Sequence, residues 1–413
     1  MDAFFTADFF SRNRAELRAQ VNTDTPIIIT GNGNMQRASD EPFKFVQDSN
    51  FWYLTGLCEP DLVLVIGKHD TFLIAPVLSA EREAFDGAYD FAAITAHSGI
   101  TTILDERTGW QRVRTLLKSN SRVATLGAAP SFMARHRLHA LPYRRRLIAK
   151  LKRLDSQVAI QDLRSNLAGM RMLKQPEELK ALQAAIDVTA ATLQEVAQVN
   201  TLKHAKHEYE LEAAISYGFR KRGAEGHAFE PIVGAGKHAT TLHHVNNNGP
   251  IDPQDLIVLD VGASVEHYAA DITRTVCMKP MNKRQQAVFS AVAKVQDYAL
   301  SLLKPGTMLR DYEQAVMEYM GTQLVNLQLI TKPTPSAIRY YFPHATSHFL
   351  GLDTHDVGDY SKPLVPGMVL TCEPGIYIPE EGIGVRLEDD ILITKTGNRN
   401  MSVACPRQLS SVQ

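Results

Sequence analysis

Between residues 25 and 165 short apolar runs alternate with helical stretches. "PIIITG" (26–31), "DLVLVIG" (61–67) and "DTFLIAP" (70–76) are blocks of β-branched and aliphatic residues closed by Gly or Pro, and they predict strands. "RTGWQRVRTLLKS" (107–119) and "YRRRLIAKLKRL" (143–154) space their apolar residues at helical intervals. Alternation of this kind predicts an α/β domain over residues 1–167. The pattern then changes. "KQPEELKALQAAIDVTAATLQEV" opens with Pro176 in a first-turn position and two acids behind it, and "EYELEAAISYGFRKRGA" closes at Gly223. Two predicted strands follow, "QDLIVLDVGA" and "HYAADITRTVCM". Next come two long helices, "NKRQQAVFSAVAKVQDYALSLLKPG" and "RDYEQAVMEYMGTQLVNL", and two last strands, "GMVLTCEPGIYI" and "IGVRLEDDILIT". Strands and helices come in separate runs, so residues 168–413 predict an α+β domain around an antiparallel sheet.

Composition narrows the partners. The 413 residues carry a net charge of −1, which gives no global attraction to nucleic acid or an anionic membrane. The stretch from Arg135 to Arg153 holds eight basic residues and no acid, but no aromatic platform accompanies it, and it reads as a solvated helix face. No apolar run reaches the roughly 20 residues of a membrane helix. The N-terminal "MDAFFTADFFSRNRAELRAQ" reads as a short amphipathic helix and not as a secretory leader. Cys58, Cys277, Cys372 and Cys405 form no C-x-x-C pair, so a reducing cytoplasm is expected.

Chemistry enters where acids interrupt apolar strands. Asp260 ends "LIVLD", Asp271 splits "YAADIT", Glu373 sits in "VLTCEPG" and Glu388 in "GVRLEDD". A buried unpaired carboxylate must neutralise or find a cation. Any one of these acids is more often a turn or cap residue. Four in one domain point to a shared cation, and two divalent ions about 3.5–4 Å apart would compensate them. The segment "YFPHATSHFLGLDTHDVGDY" supplies His344, His348 and His355 within twelve residues, with His348 the natural nitrogen ligand. An oxygen-rich set with one imidazole favours Mn²⁺, with Co²⁺, Mg²⁺ or Zn²⁺ as alternatives. Cys372 as a nucleophile is the competing reading, and packing as a small apolar residue is the simpler account of it.

The segments "VLDVGASVEHYAADITRTV", "HATSHFLGLDTHDVG", "PGMVLTCEPGIYI" and "GIGVRLEDDILIT" resemble, in order, the site strands of the pita-bread metallopeptidases, a group that includes aminopeptidase P, prolidase and methionine aminopeptidase. "PFKFVQDSNFWYLTGL" (42–57) is similar to the N-terminal domain of aminopeptidase P, a domain that methionine aminopeptidase lacks. The resemblance implies metal ligands Asp260, Asp271, His348, Glu373 and Glu388, with Glu373 also taking a proton from the attacking water. It implies that His243, His344 and His355 surround the substrate, that Arg386 stands by the ligands or the substrate, and that Arg164 lines the mouth of a cleft. His244, beside His243, has no counterpart and reads as incidental. The implied activity is exopeptidase cleavage of Xaa-Pro bonds in peptides with proline second. A dipeptidase of prolidase type is the alternative, and a non-catalytic relative is disfavoured because all five ligands are present. A homodimer or homotetramer is expected. Three departures bear on substrate length: the short "YIPEEGIG" loop, Phe229 where aminopeptidase P has a tyrosine, and no tryptophan in "SAEREAFDGAYD".

Overall fold

The computed structural model describes residues 4–119, 121–127, 133 and 137–409. The chain divides into two compact units, 1–168 and 169–413.

The first unit is built on a six-stranded mixed sheet. Its strands are β1 (Ile27–Thr30), β4 (Val63–Ile66), β5 (Thr71–Ala75), β6 (Thr102–Asp105), β7 (Arg122–Thr125) and β8 (Ala159–Asp162), in the order β6-β5-β4-β1-β7-β8. A small hairpin, β2 (Gln36–Ala38) and β3 (Glu41–Pro42), stands apart from it. Helices Glu106–Ser119 and Tyr143–Leu154 lay Val113, Leu117, Leu147 and Leu151 on Ile28, Val65, Phe72 and Val123 of the sheet. That packing explains the basic run: the apolar stripe of the second helix faces the sheet, leaving Arg145, Arg146, Lys152 and Arg153 in solvent. The start of the run, Arg135 and His136, lies outside the described residues, as do Met1–Ala3. Helix Ala7–Ala19 buries Phe9 and Phe10, and Phe10 meets the Trp52 ring edge-on.

The second unit has two strand ribbons with helices against them. In the first ribbon β10 (Ile232–Ala235), β11 (Leu256–Val261) and β14 (Ile272–Cys277) form one antiparallel sheet. Strands β9 (Gly226–His227), β12 (Ala263–Val265) and β13 (Tyr268–Ala269) form the next. In the second ribbon β15 (Val369–Cys372) pairs with β18 (Asp389–Ile393), which also pairs with β19 (Asn398–Asn400), while β16 (Gly375–Ile378) pairs with β17 (Ile383–Arg386). Helices Lys283–Leu302 and Leu309–Asn326 contribute Val288, Val292, Val316 and Met320 to a core shared with Leu370, Ile376, Val385 and Ile391. Helix Pro176–Val196 starts at Pro176 as its sequence predicts, with Glu178 accepting the Gln175 backbone N–H at 2.8 Å. Among the described residues no helix is long and apolar enough to cross a membrane.

Each ribbon is broken once, and the break is not what periodicity predicts. "GMVLTCEPGIYI" is two strands interrupted at Glu373–Pro374, and "IGVRLEDDILIT" is two interrupted at Leu387–Glu388. Pro374 offers no N–H to a ladder, and Glu388 donates its N–H to Thr273 O of the other ribbon instead. In the first ribbon the breaks fall at Gly262 and at Ala270–Asp271. A Cβ on Gly262 would stand 1.7 Å from Ala270 O, so only glycine lets the two backbones approach there.

Candidate metal centre

The four carboxylates singled out in the sequence lie together at these breaks. Asp260 is the next-to-last residue of β11; Asp271, Glu373 and Glu388 occupy the interruptions themselves. All are largely buried. One oxygen each of Asp271 and Glu388 lies within 4.8 Å of a ring nitrogen of His348 and of the other. His348 Nε2 is 3.5 Å from Asp271 Oδ2 and 3.4 Å from Glu373 Oε1. Asp260 Oδ2 accepts from Arg386 at 2.5 Å, while its Oδ1 is buried with no hydrogen-bond partner among the described residues. Thr273 Oγ1 donates to Glu388 Oε2 at 2.6 Å.

Charge is badly out of balance in this cluster. Burial first, and then the neighbouring Asp260, push the Asp271 carboxyl well above its ordinary range. Burial and Asp271 do the same to Glu388. Glu373 is pushed up to about 7, by burial against the opposing pull of His348 and Arg386. Arg386 is hydrogen-bonded to Asp260, to Tyr377 Oη at 2.8 Å and to Thr273 Oγ1 at 3.1 Å. Burial opposes its charge, but Tyr377, Asp260 and Glu388 more than offset that and hold it ionised.

The tautomer of His348 tests whether cations fit. Its Nδ1 stands 3.0 Å from Phe349 O, a pure acceptor, so Nδ1 carries the proton. In the neutral ring Nε2 then presents a lone pair to two carboxylate oxygens. Acceptors facing acceptors repel, and a cation among them turns every one of these contacts favourable. A ligand histidine with its other nitrogen fixed by a backbone carbonyl is the usual metal-site arrangement. The donor set of oxygens plus one imidazole fits hard divalent ions.

The remaining histidines stand around the cluster. His344 Nδ1 lies 2.8 Å from Ala345 O and 3.5 Å from Glu373 Oε2, and its Nε2 is 2.9 Å from Tyr377 Oη. Since Tyr377 receives an N–H from Arg386, its own proton goes to His344 Nε2, giving the relay Asp260–Arg386–Tyr377–His344. Burial, then Arg386, holds the His344 pKa down to about 3. The His355 ring meets that of His348 at 4.3 Å, and its pKa is held down to about 4 by burial and then by His348. Both are neutral at pH 7. His243 is exposed and close enough to depress both further. Arg164 is in the first unit, its Nε 2.7 Å from Asp162 Oδ2. Phe229 Cε1 would lie 3.0 Å from a Cβ at Gly262, so its ring sits beside the first ribbon's break.

Several working residues escaped the sequence reading. Asp356 is buried on Lys174 Nζ at 2.9 Å and on Arg171, which also holds Asp353 at 2.8 Å, so the segment carrying His355 is anchored from below. In "LEDD" three successive acids have three fates. Glu388 faces the cluster, Asp389 pairs with the buried Arg274 at 2.6 Å, and Asp390 accepts the Asp271 N–H at 3.2 Å. Tyr377, Arg171 and Arg274 left one signal: a polar or charged residue inside an apolar run. His244 Nε2 lies 2.9 Å from Glu208, a contact that the sequence does not indicate.

Comparison with known proteins agrees with this architecture. Residues 180–395 match metallopeptidase family M24, and residues 10–137 match the aminopeptidase P N-terminal domain. The chain belongs to the aminopeptidase P family of M24 metallopeptidases. It is 32% identical to human Xaa-Pro aminopeptidase 3, over 96% of this chain and 82% of that protein. It is 30% identical to the Xaa-Pro aminopeptidase of Escherichia coli K12, over 98% and 96%. Among solved structures, E. coli aminopeptidase P with the inhibitor Pro-Leu superposes with a TM-score of 0.86 at 29% identity, covering 98% of this chain and 97% of that one. The zinc-substituted E. coli enzyme with product gives 0.86 at 30%, with the same coverage. Members of this family carry a dinuclear metal site in a pita-bread catalytic domain, and this chain is a metallo-exopeptidase of that kind.

Proposed function

We propose that this chain is an Xaa-Pro aminopeptidase that releases the residue before proline, with residues 168–413 as the catalytic domain and 1–167 as its N-terminal companion. The observation that carries the reading is His348 Nε2 set among four largely buried carboxylates of which Arg386 pairs with Asp260. Asp260, Asp271, His348, Glu373 and Glu388 would hold two divalent ions, and Mn²⁺ is proposed from the hard donor set. Such ions polarise a carbonyl and lower the pKa of water.

The protein's own groups do the rest. Glu373, by resemblance, takes a proton from the attacking water and can return it to the leaving nitrogen. His355, neutral, and His243 on its exposed loop would donate hydrogen bonds to substrate carbonyls. His344 is assigned to the substrate's surroundings by resemblance, its one proton on Nδ1 being held by Ala345 O with Glu373 Oε2 3.5 Å away. Arg386 holds Asp260 and, through Tyr377, fixes the His344 ring. Arg164 is assigned a substrate contact by resemblance. An Xaa-Pro bond is a tertiary amide without an N–H, so a site that grips the amine, the carbonyl and the proline ring suits it better than backbone pairing does.

A cytoplasmic enzyme of two or four copies completes the proposal, the cysteines forming no C-x-x-C pair. The test compares kcat/KM on Ala-Pro-Ala and Ala-Pro for metal-free protein reloaded with Mn²⁺, Co²⁺, Mg²⁺ or Zn²⁺. Faster release of alanine from the tripeptide, best with Mn²⁺, is expected. A hundredfold preference for the dipeptide would make this a dipeptidase.

A further inference from the structure

A second convergence of ligand-type side chains lies outside the carboxylate cluster. Glu208 opens helix Glu208–Lys221, and its carboxylate is fully buried. His238 comes from the short 3-10 turn Gly236–Thr240 and His244 from the loop after it. His238 Nδ1 lies 2.9 Å from Glu208 Oε1, and His244 Nε2 lies 2.9 Å from Glu208 Oε2. One ligand atom of each of the three lies within 4.8 Å of those of the other two. The imidazole rings are stacked, with centroids 4.2 Å apart, so both present a nitrogen edge to one carboxylate.

We propose that Glu208, His238 and His244 form an auxiliary zinc site, separate from the dinuclear centre. Two imidazoles and one carboxylate are a ligand set that Zn²⁺ takes, with water in the fourth place. It is also softer than the dinuclear set of four carboxylates and one imidazole, so the two sites sort different metals. Zinc–ligand bonds of about 2.0–2.2 Å set neighbouring donors roughly 3.3 Å apart in a tetrahedron. His238 and His244 stand 2.9 Å from different oxygens of Glu208, so with one oxygen as ligand the carboxylate must turn and one ring must shift toward it. Binding requires the proton on each contacting ring nitrogen to leave that nitrogen.

The outer shell is already in place. Glu208 Oε1 accepts the Ala235 N–H at 2.9 Å and Oε2 accepts the Gly249 N–H at 2.6 Å. Both donors keep their bonds when the carboxylate turns its remaining lone pairs to an ion, and such backbone donors orient a ligating carboxylate. Gly249 is needed for this: a Cβ there would meet His238 Nδ1 at 2.5 Å and Glu208 Oε2 at 2.9 Å. His238 is 28% exposed, which gives an ion a way in. Bound zinc would tie the start of the helix to the loop that carries His243.

The test counts metal. Full-length protein holding Mn²⁺ is dialysed against micromolar Zn²⁺ in excess Mn²⁺, and metals per chain are measured with His238→Ala and His244→Ala alongside. One zinc per chain that either substitution weakens at least tenfold is expected. In the Asp271→Ala/Glu388→Ala protein that same single zinc should persist, so failure of the dinuclear assignment and failure of this one are told apart. Replacement by Co²⁺ should give the visible absorption of a tetrahedral site, lost in His238→Ala. Zinc content unchanged in both histidine variants, or no zinc beyond the dinuclear centre in wild-type protein, overturns the proposal and leaves a hydrogen-bonded clamp.

Discussion

Stripping the metals should make the catalytic unit less stable as pH rises, opposite to the usual behaviour of carboxylates. The Glu373 carboxyl has an ordinary pKa of 4.5 and is pushed up to about 7 in the folded chain, chiefly by burial. Below about pH 4.5 folded and unfolded chains both hold the proton. Between about 4.5 and 7 the unfolded chain has released it and the folded chain has not. Folding is then linked to proton uptake, and stability falls by about 1.4 kcal/mol per pH unit. The loss is complete above pH 7 and amounts to about 3 kcal/mol for this group. Asp271 and Glu388 are shifted in the same direction and add to it. For a unit of residues 169–413, about 3 kcal/mol corresponds to a Tm lower by roughly 6 °C. The assay is calorimetry of EDTA-treated protein at pH 5, 6, 7 and 8, following the catalytic unit's transition, with and without Mn²⁺. Metal binds the deprotonated carboxylates, so Mn²⁺ should abolish the decline. A metal-free Tm that is flat or rising from pH 5 to 7 would refute the reasoning, since it would mean the carboxylates are compensated without metal.

Three further outcomes follow from contacts in the catalytic unit. Asp356→Ala removes the shared partner of the buried Arg171 and Lys174 and should cost about 3–5 kcal/mol in urea denaturation, with Asp356→Asn falling between it and wild type. Tyr377→Phe deletes the hydroxyl between Arg386 and His344; kcat should fall at least tenfold with metal content unchanged, and metal loss would count against the relay. Gly262→Ala places a Cβ 1.7 Å from Ala270 O, so the break must open, and metal affinity should fall at least tenfold while the first unit's melting transition stays in place.

Apolar runs located the long elements well. Helix Tyr143–Leu154 has the bounds its sequence suggests, and Gly223, at φ +84°, sits just past the end of helix Glu208–Lys221. Periodicity failed at the strand breaks, because an alternating run of β-branched residues carries no sign that its ladder changes partner midway. The acids were legible as misfits in apolar strands, and Pro374 beside Glu373 and Gly262 after Asp260 were local markers of a break. The supporting ion pairs were not legible. Arg171 and Asp356 are 185 residues apart, and each alone reads as an ordinary polar residue. His244 was dismissed because its partner, Glu208, lies 36 residues away in a helix whose first-turn acids look like dipole complements.

The position of the breaks explains why this fold can hold so many acids. Inside a continuous ladder every side chain faces one side of the sheet or the other, and consecutive residues cannot converge on one point. Where a ribbon changes partner, backbone groups leave the ladder and side chains turn toward the gap. Here the two ribbons place their gaps together, shown by the Glu388 N–H donated to Thr273 O and by Thr273 Oγ1 donated to Glu388. Asp260 and Asp271 come from one ribbon, Glu373 and Glu388 from the other, so each contributes two negative charges to a common space. Neither ribbon alone would tolerate that charge once buried, and bringing the ribbons together makes it worse unless cations enter. The geometry that makes the metal-free fold costly is therefore the same geometry that builds the centre, and a change at Gly262, Pro374 or Thr273 that opens the gaps should lower metal affinity.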